Sequence, residues 1–232
     1  MKYTAVTEGI FLSRPNRFIA HIEINGNTEI CHVKNTGRLK ELLIPGARVW
    51  LEKSGNPNRK TLYDLIAVEK EDRIINIDSQ IPNYLAQEWL KDNPLFPGVT
   101  SLRREKTYGQ SRFDLYFEQG EIKSFMEVKG VTLDKDGTAC FPDAPTERGV
   151  KHIQELCQCL KEGYQAYLLF VIQMKKIRAF SPNRETHPLF ADTLIQAHKQ
   201  GVKILAYDCQ VTPDDIFIDQ PVPVILEKEG II

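Results

Sequence analysis

Over the first eighty residues apolar and polar positions alternate in short bursts broken by turn formers, the period of strands rather than helices. Residues 18–24 alternate, Asn25-Gly26 is a strong hairpin signal, and residues 28–33 supply the returning strand. Residues 39–43 suggest a brief helical piece stopped by Pro45-Gly46, and strand-like runs follow at 48–52, 62–68 and 74–77. About five strands in so short a stretch predict a small closed barrel, an arrangement without exposed sheet edges.

The punctuated run Gln80-Ile81-Pro82-Asn83 marks a boundary, giving units at 1–81 and 82–232. Asn83 is placed to cap a helix over 84–91 that Asn93-Pro94 ends. Strands are expected at 102–107, 112–118, 122–133 and 138–141, then a helix over 146–162 with Gly163 at its C-terminal cap. The nearly unbroken apolar run 166–172 predicts a strand buried on both faces. A strand at 177–180, a helix at 189–200 closed by Gly201 and a strand at 202–207 complete the pattern. The Pro- and Asp-rich residues from Val211 onward are expected to wrap the surface. The fold class is therefore mixed: an all-β unit followed by an α-β-β-β-α-β unit.

Composition changes this picture little. Hydrophobic residues make up 42% of the 232 and charged residues 26%, ordinary for a globular chain. A formal net charge of −1 counts mildly against a polyanion partner, although a local groove can be positive on a neutral molecule. Residues 1–80 carry 12 Lys and Arg against 10 Asp and Glu, so any basic groove there depends on a few placed side chains. No stretch approaches the ~18 apolar residues of a membrane span, and no signal-peptide pattern opens the chain. Five cysteines, an odd number at irregular spacing, read as buried thiols in a reducing compartment. A cytoplasmic location without membrane contact is expected.

The chemistry concentrates in Ser111-Arg-Phe-Asp114-Leu-Tyr-Phe117 and Ser124-Phe-Met-Glu127-Val-Lys129. Alternation sets Phe113, Leu115 and Phe117 on one face and Asp114 with Arg112 on the other; Glu127 and Lys129 likewise oppose Met126 and Val128. A hairpin turning at Gln119-Gly120 would place Glu118 opposite Glu121, with Asp114 and Glu127 as diagonal neighbours. Two carboxylates within reach of one Mg²⁺ or Mn²⁺, beside a lysine, suit phosphodiester hydrolysis. Such a cation keeps several waters, lowers the pKa of one of them and neutralises charge on the transition state. The competing reading is a charged solvent face on an antiparallel sheet.

The runs Gly109-Gln-Ser-Arg-Phe-Asp114, Glu127-Val-Lys-Gly-Val-Thr-Leu133 and Phe141-Pro-Asp-Ala-Pro-Thr-Glu-Arg-Gly149 with His152 resemble the sugar fermentation stimulation protein A family of bacteria and archaea. So do Arg14-Pro-Asn-Arg-Phe18, His32-Val-Lys-Asn-Thr-Gly-Arg38 and Leu43-Ile-Pro-Gly46. The resemblance spans residues 10–207. It implies an OB-like N-terminal barrel joined to a restriction-endonuclease-like domain of the PD-(D/E)XK type, with DNA binding and a regulatory link to sugar metabolism. Asp114 and Glu127-Val-Lys129 fall on that superfamily's D…E-x-K pattern, so Asp114, Glu127 and Lys129 are the catalytic candidates and the two carboxylates the metal ligands.

Two further acids are candidates for a third ligand. Glu105 matches an acidic position of the family motif but could equally pair with basic neighbours on an exposed strand. Asp143, in a Pro-rich loop leading into a helix, would by default cap or turn. Arg148, His152 and Glu155 share a polar helical stripe, and Arg148 and His152 could reach a phosphate. In the barrel, Arg14, Arg17, Asn35 and Arg38 are the nucleic-acid candidates, with Arg112 in the second unit, while Phe18 is read as core rather than stacking platform. The leading function is a DNA-binding, metal-dependent nuclease. The alternatives are a non-catalytic DNA-binding regulator, for which no helix-turn-helix signature is seen, and an RNA-processing nuclease.

Overall fold

The computed structural model describes residues 1–56, 58–227 and 230–231. Strands β1 (Val6–Ser13), β2 (Ile19–Ile24), β3 (Asn27–Val33), β4 (Arg48–Lys53), β5 (Tyr63–Lys70) and β6 (Arg73–Asn76) form one sheet in the order β3-β2-β1-β4-β5-β6. A parallel pairing of β3 with β5, His32 beside Asp64 and Val33 beside Leu65, closes it into a barrel. Asn25 and Gly26 both take positive φ, as the tight turn between β2 and β3 requires. Gly9 lets β1 press onto β2: a Cβ there would stand 2.6 Å from a methyl of Ile22 and 2.8 Å from the Glu23 carbonyl. Residues 39–43 form a single turn, Leu43 N–H to the Leu39 carbonyl at 2.9 Å, rather than a helix.

Helix α1 (Ile81–Asp92) starts earlier than the sequence suggests, with Pro82 in its first turn, where a missing N–H costs nothing. Asn83 is therefore inside the helix and caps nothing. Then come β7 (Val99–Tyr108), β8 (Ser111–Gln119), β9 (Ile122–Val131), β10 (Leu133–Lys135), β11 (Thr138–Phe141), α2 (Glu147–Lys161), β12 (Gln165–Ile172), β13 (Ala179–Pro182), α3 (Pro188–Gln200), β14 (Lys203–Val211), β15 (Ile216–Pro221) and β16 (Ile225–Glu227). The central sheet runs β15-β14-β12-β9-β8-β7, with β9, β12 and β14 mutually parallel. The C-terminal stretch read as surface wrapping instead adds β15 as an antiparallel edge strand, its prolines lying at or beyond the ends of the ladder.

Both faces of this sheet are covered. Ile81, Leu85 and Leu90 of α1 pack on Leu115, Phe117, Met126 and Val128. On the other side Val150, Ile153 and Leu156 of α2 and Phe190 and Leu194 of α3 join Phe125, Phe170 and the barrel core. Thr146 caps α2, its hydroxyl accepting from Gly149 N–H. The barrel and the second unit are joined by a polar seam, in which the Gln173 amide donates to Asn76 Oδ1 at 2.8 Å and the Asp78 carbonyl at 3.1 Å. At this seam a Cβ on Gly130 would lie 2.6 Å from Gln173 Oε1 and 2.7 Å from Pro82 Cγ. Strand β9, helix α1 and the residue after β12 thus meet with no room for a side chain.

Candidate metal and nucleic-acid site

The β8–β9 turn is Gly120-Glu121, one residue later than expected, so Glu118 faces Lys123 rather than Glu121. Partners move by two residues, which preserves every face. The ladder ends at Leu115 opposite Met126; one step further brings Asp114 opposite Glu127 rather than diagonal to it. There β8 leaves the ladder. The backbone of Glu105, facing Asp114 on β7, is left-handed with φ 55°, between the pairs Arg104–Leu115 and Lys106–Phe113. This kink breaks the strict alternation. Phe113 packs with Phe125 and His152, not with Leu115 and Phe117 as the period predicts.

With main-chain pairing lost, the Asp114 carboxylate replaces it: Oδ2 accepts from Val128 N–H at 2.8 Å and Oδ1 from the Asn83 amide at 2.8 Å. Glu127 lies in the sheet interior and is only 2% exposed, so the solvent-face reading does not hold for it. Its Oε1 accepts from Lys129 Nζ and from His152 Nδ1, each at 2.5 Å. The carboxylate can only accept, so Nδ1 carries the proton, which leaves His152 Nε2 to accept from Arg148 Nε at 3.3 Å. Glu127 Oε2 is buried without a partner. A buried, unsatisfied carboxylate oxygen is costly unless something positive occupies it.

The electrostatics point the same way. Burial, then the neighbouring Glu127 charge, push the Asp114 carboxyl up to about 6, against the pull of Val128 N–H, Lys129 and Asn83. Burial also acts to raise Glu127, but the hydrogen bonds from His152 and Lys129 and the Lys129 charge prevail and hold it below the usual range. Two carboxylates are thus crowded together in a low-dielectric pocket. Among the described residues no group of three His, Cys, Asp or Glu side chains converges on a metal-sized space. Asp114 and Glu127 are the two carboxylates that could hold a divalent cation there, with water completing its shell.

Neither third acid joins this pair. Glu105 forms an exposed ion pair with Arg112 at 3.5 Å. Exposed Asp143 lies across the interdomain seam, its Oδ2 2.8 Å from where Gly37 would carry a Cβ. It lines an open groove of about 700 Å³ between barrel and second unit, whose wall includes Gly130, the residue after Lys129. Arg17, Arg38 and Lys40 line the same groove and are exposed. Arg14 and Asn35 line it too, but the two terminal nitrogens of Arg14 and the Asn35 amide are engaged within the barrel. Arg14 donates to the carbonyls of Arg17, Asn35, Gly37 and Arg38, and Asn35 bridges Ile77 and Gly37. Both brace the basic loop rather than offer free donors. Phe18, expected in the core, is 54% exposed.

Two roles were hidden in the sequence. His152, expected on a polar stripe within reach of a phosphate, is instead 4% exposed and lies with Gly149, Val150, Ile153, Leu156 and Cys159 on the buried face of α2. The spacing 149, 152, 153, 156 is itself the inward period of a helix, a signal the polar identity of His152 masked. Asn83, read as a cap, is the side chain that orients Asp114.

An OB barrel followed by a mixed α/β unit with a carboxylate pair and a lysine on its central strands defines a two-domain protein of restriction-endonuclease-like fold. Residues 12–77 match the SfsA N-terminal OB domain and residues 80–215 the Sugar fermentation stimulation protein RE domain. The chain belongs to the sugar fermentation stimulation protein (SfsA) family. It is 59% identical over 216 residues to a sugar fermentation stimulation protein homolog of Desulfitobacterium hafniense, covering 93% of this chain and 94% of that one. It is 58% identical over 226 residues to the homolog of Ruminiclostridium cellulolyticum, covering 97% and 100%. The solved structure of Pyrococcus furiosus SfsA in complex with Ca²⁺ superposes with a TM-score of 0.88 at 28% identity, covering 97% of this chain and 98% of that one. No helix among the described residues is long and apolar enough to cross a membrane.

Proposed function

We propose that this chain is a DNA-binding protein whose Asp114, Glu127 and Lys129 form a Mg²⁺- or Mn²⁺-dependent phosphodiesterase site. The observation that carries the reading is the pair of half-buried Asp114 and buried Glu127, in which Glu127 Oε2 has no partner while Lys129 and His152 hold Oε1. The P. furiosus relative's complex with Ca²⁺ supports a divalent cation of this class. A bound cation would neutralise phosphate charge and lower the pKa of a water it holds. The chain's own part is positional. Val128 N–H and Asn83 fix Asp114, His152 fixes Glu127, and the Lys129 ammonium beside Glu127 would offset negative charge developing on a reacting phosphate.

Cleavage of labelled single-stranded DNA, duplex DNA and structured RNA in Mg²⁺ or Mn²⁺ tests this. Cutting abolished by EDTA and by Asp114→Ala supports the reading and identifies the substrate; binding without cutting in any metal would replace it with the regulator.

The groove between barrel and second unit, whose wall includes Gly130, is the proposed path for the phosphate backbone, with Arg17 and Arg38 among its exposed cations. The double variant Arg17→Ala, Arg38→Ala should weaken binding equally on all sequences. The slope of log affinity against log salt should become shallower by about two, roughly one per lost phosphate contact. An unchanged slope would remove these residues from the path.

A further inference from the structure

We infer that Tyr84 and Arg104 form a stacking platform for an unpaired nucleobase beside the Asp114–Glu127 pair. The inference rests on the phosphodiesterase reading and adds to it the substrate class, a single-stranded segment. Helix α1 buries Ile81, Leu85, Ala86 and Leu90, whereas Tyr84 points away from that face and is 45% exposed. The Arg104 guanidinium covers the ring at 4.0 Å from its centroid. Arg104 Nε is buried without a partner, so its hydrogen bonds do not explain the pose; the ring does.

Their position links the pair to the chemistry. Tyr84 follows Asn83, whose amide holds Asp114. Arg104 is paired on β7 with Leu115, the residue after Asp114. An aromatic ring backed by a cation is thus anchored on both sides of one carboxylate by its immediate neighbours. Such a surface suits a base face whatever its hydrogen-bonding edge, because every nucleobase offers a π-face. In a duplex those faces are covered by neighbouring base pairs, so only an unpaired or extruded base can use the platform.

The test uses full-length protein and oligodeoxynucleotides carrying one 2-aminopurine, with Ca²⁺ replacing Mg²⁺ to suppress cutting. Single strands should be bound with altered 2-aminopurine fluorescence, and Tyr84→Ala should weaken that binding roughly tenfold. Tyr84→Trp should retain it, and affinity for blunt duplex should not change in either variant. An abasic residue walked along the single strand should cost affinity at one position in the wild type and at none in Tyr84→Ala. A flat abasic walk in the wild type, or equal single-strand binding by Tyr84→Ala, overturns the platform and leaves the phosphodiesterase reading standing. Failure of the wild type to bind any strand overturns both.

Discussion

Lys129→Ala is expected to lower the rate of phosphodiester cleavage at saturating metal by about a hundredfold to a thousandfold, the usual loss when one preorganised positive donor is removed. Nucleic-acid binding should persist, because Lys129 is mostly covered and faces Glu127 rather than the open groove. Two effects combine. The ammonium that would stabilise developing charge is gone, and Asp114 and Glu127 both lose a charge that favours their ionised forms. The second effect shifts the rate profile towards higher pH, so raising the pH should restore part of the activity but never the wild-type maximum. Lys129→Arg keeps the charge and should retain more activity than alanine. Single-turnover rates over pH 6–9 for the three proteins check this (an order-of-magnitude window around the Asp114 titration). An alanine variant that cuts at the wild-type rate would refute the assigned role.

The second large effect concerns metal and pH. With the Asp114 carboxyl at about 6 rather than its ordinary 3.8, protons compete with the cation just below neutrality. Affinity for Mn²⁺ or Ca²⁺ should be nearly constant above pH ~7 and fall about tenfold per unit below pH ~6, as one displaced proton requires. The linked stability has a definite sign. A carboxyl whose folded pKa is raised penalises the metal-free fold in its ionised form. That penalty is absent below the ordinary value of 3.8, grows as pH rises towards about 6, and is complete above it. A bound cation relieves it, so saturating Ca²⁺ should raise Tm clearly at pH 8 and little at pH 5. Glu127→Gln should abolish both the shift and its pH dependence. Equal Tm shifts at the two pH values would contradict a site containing Asp114.

Much of this was legible in the chain because its strongest signals are local. Asn25-Gly26 sets a hairpin, Gly163 and Gly201 end helices in left-handed conformation, and the apolar run around Leu168–Ile172 becomes a strand buried on both faces. The carboxylate pair survived an error in register because the true turn shifted partners by two residues, which returns each side chain to its own face. What stayed hidden depends on departures from periodicity. The kink at Glu105 moves Phe113 to the other core and frees Asp114 to bond Val128. Strand β1 went unread because Gly9, needed for close approach to β2, interrupts its apolar pattern. His152 and Asn83 carry polar side chains whose partners lie in distant elements, Glu127 and Asp114, and no local rule anticipates such pairing. Arg14 illustrates the converse: its motif suggested a phosphate ligand, yet four loop carbonyls engage its guanidinium.

In the proposed site, Asp114 and the unpartnered oxygen of Glu127 hold one divalent cation. Anomalous diffraction from crystals grown with Mn²⁺ at pH 8 tests it directly. A single strong peak is expected within coordination distance, about 2.2 Å, of Asp114 and Glu127 Oε2, and it should be lost in Glu127→Gln. A peak held by other side chains, with Glu127 Oε2 still unoccupied at saturating Mn²⁺, would contradict it.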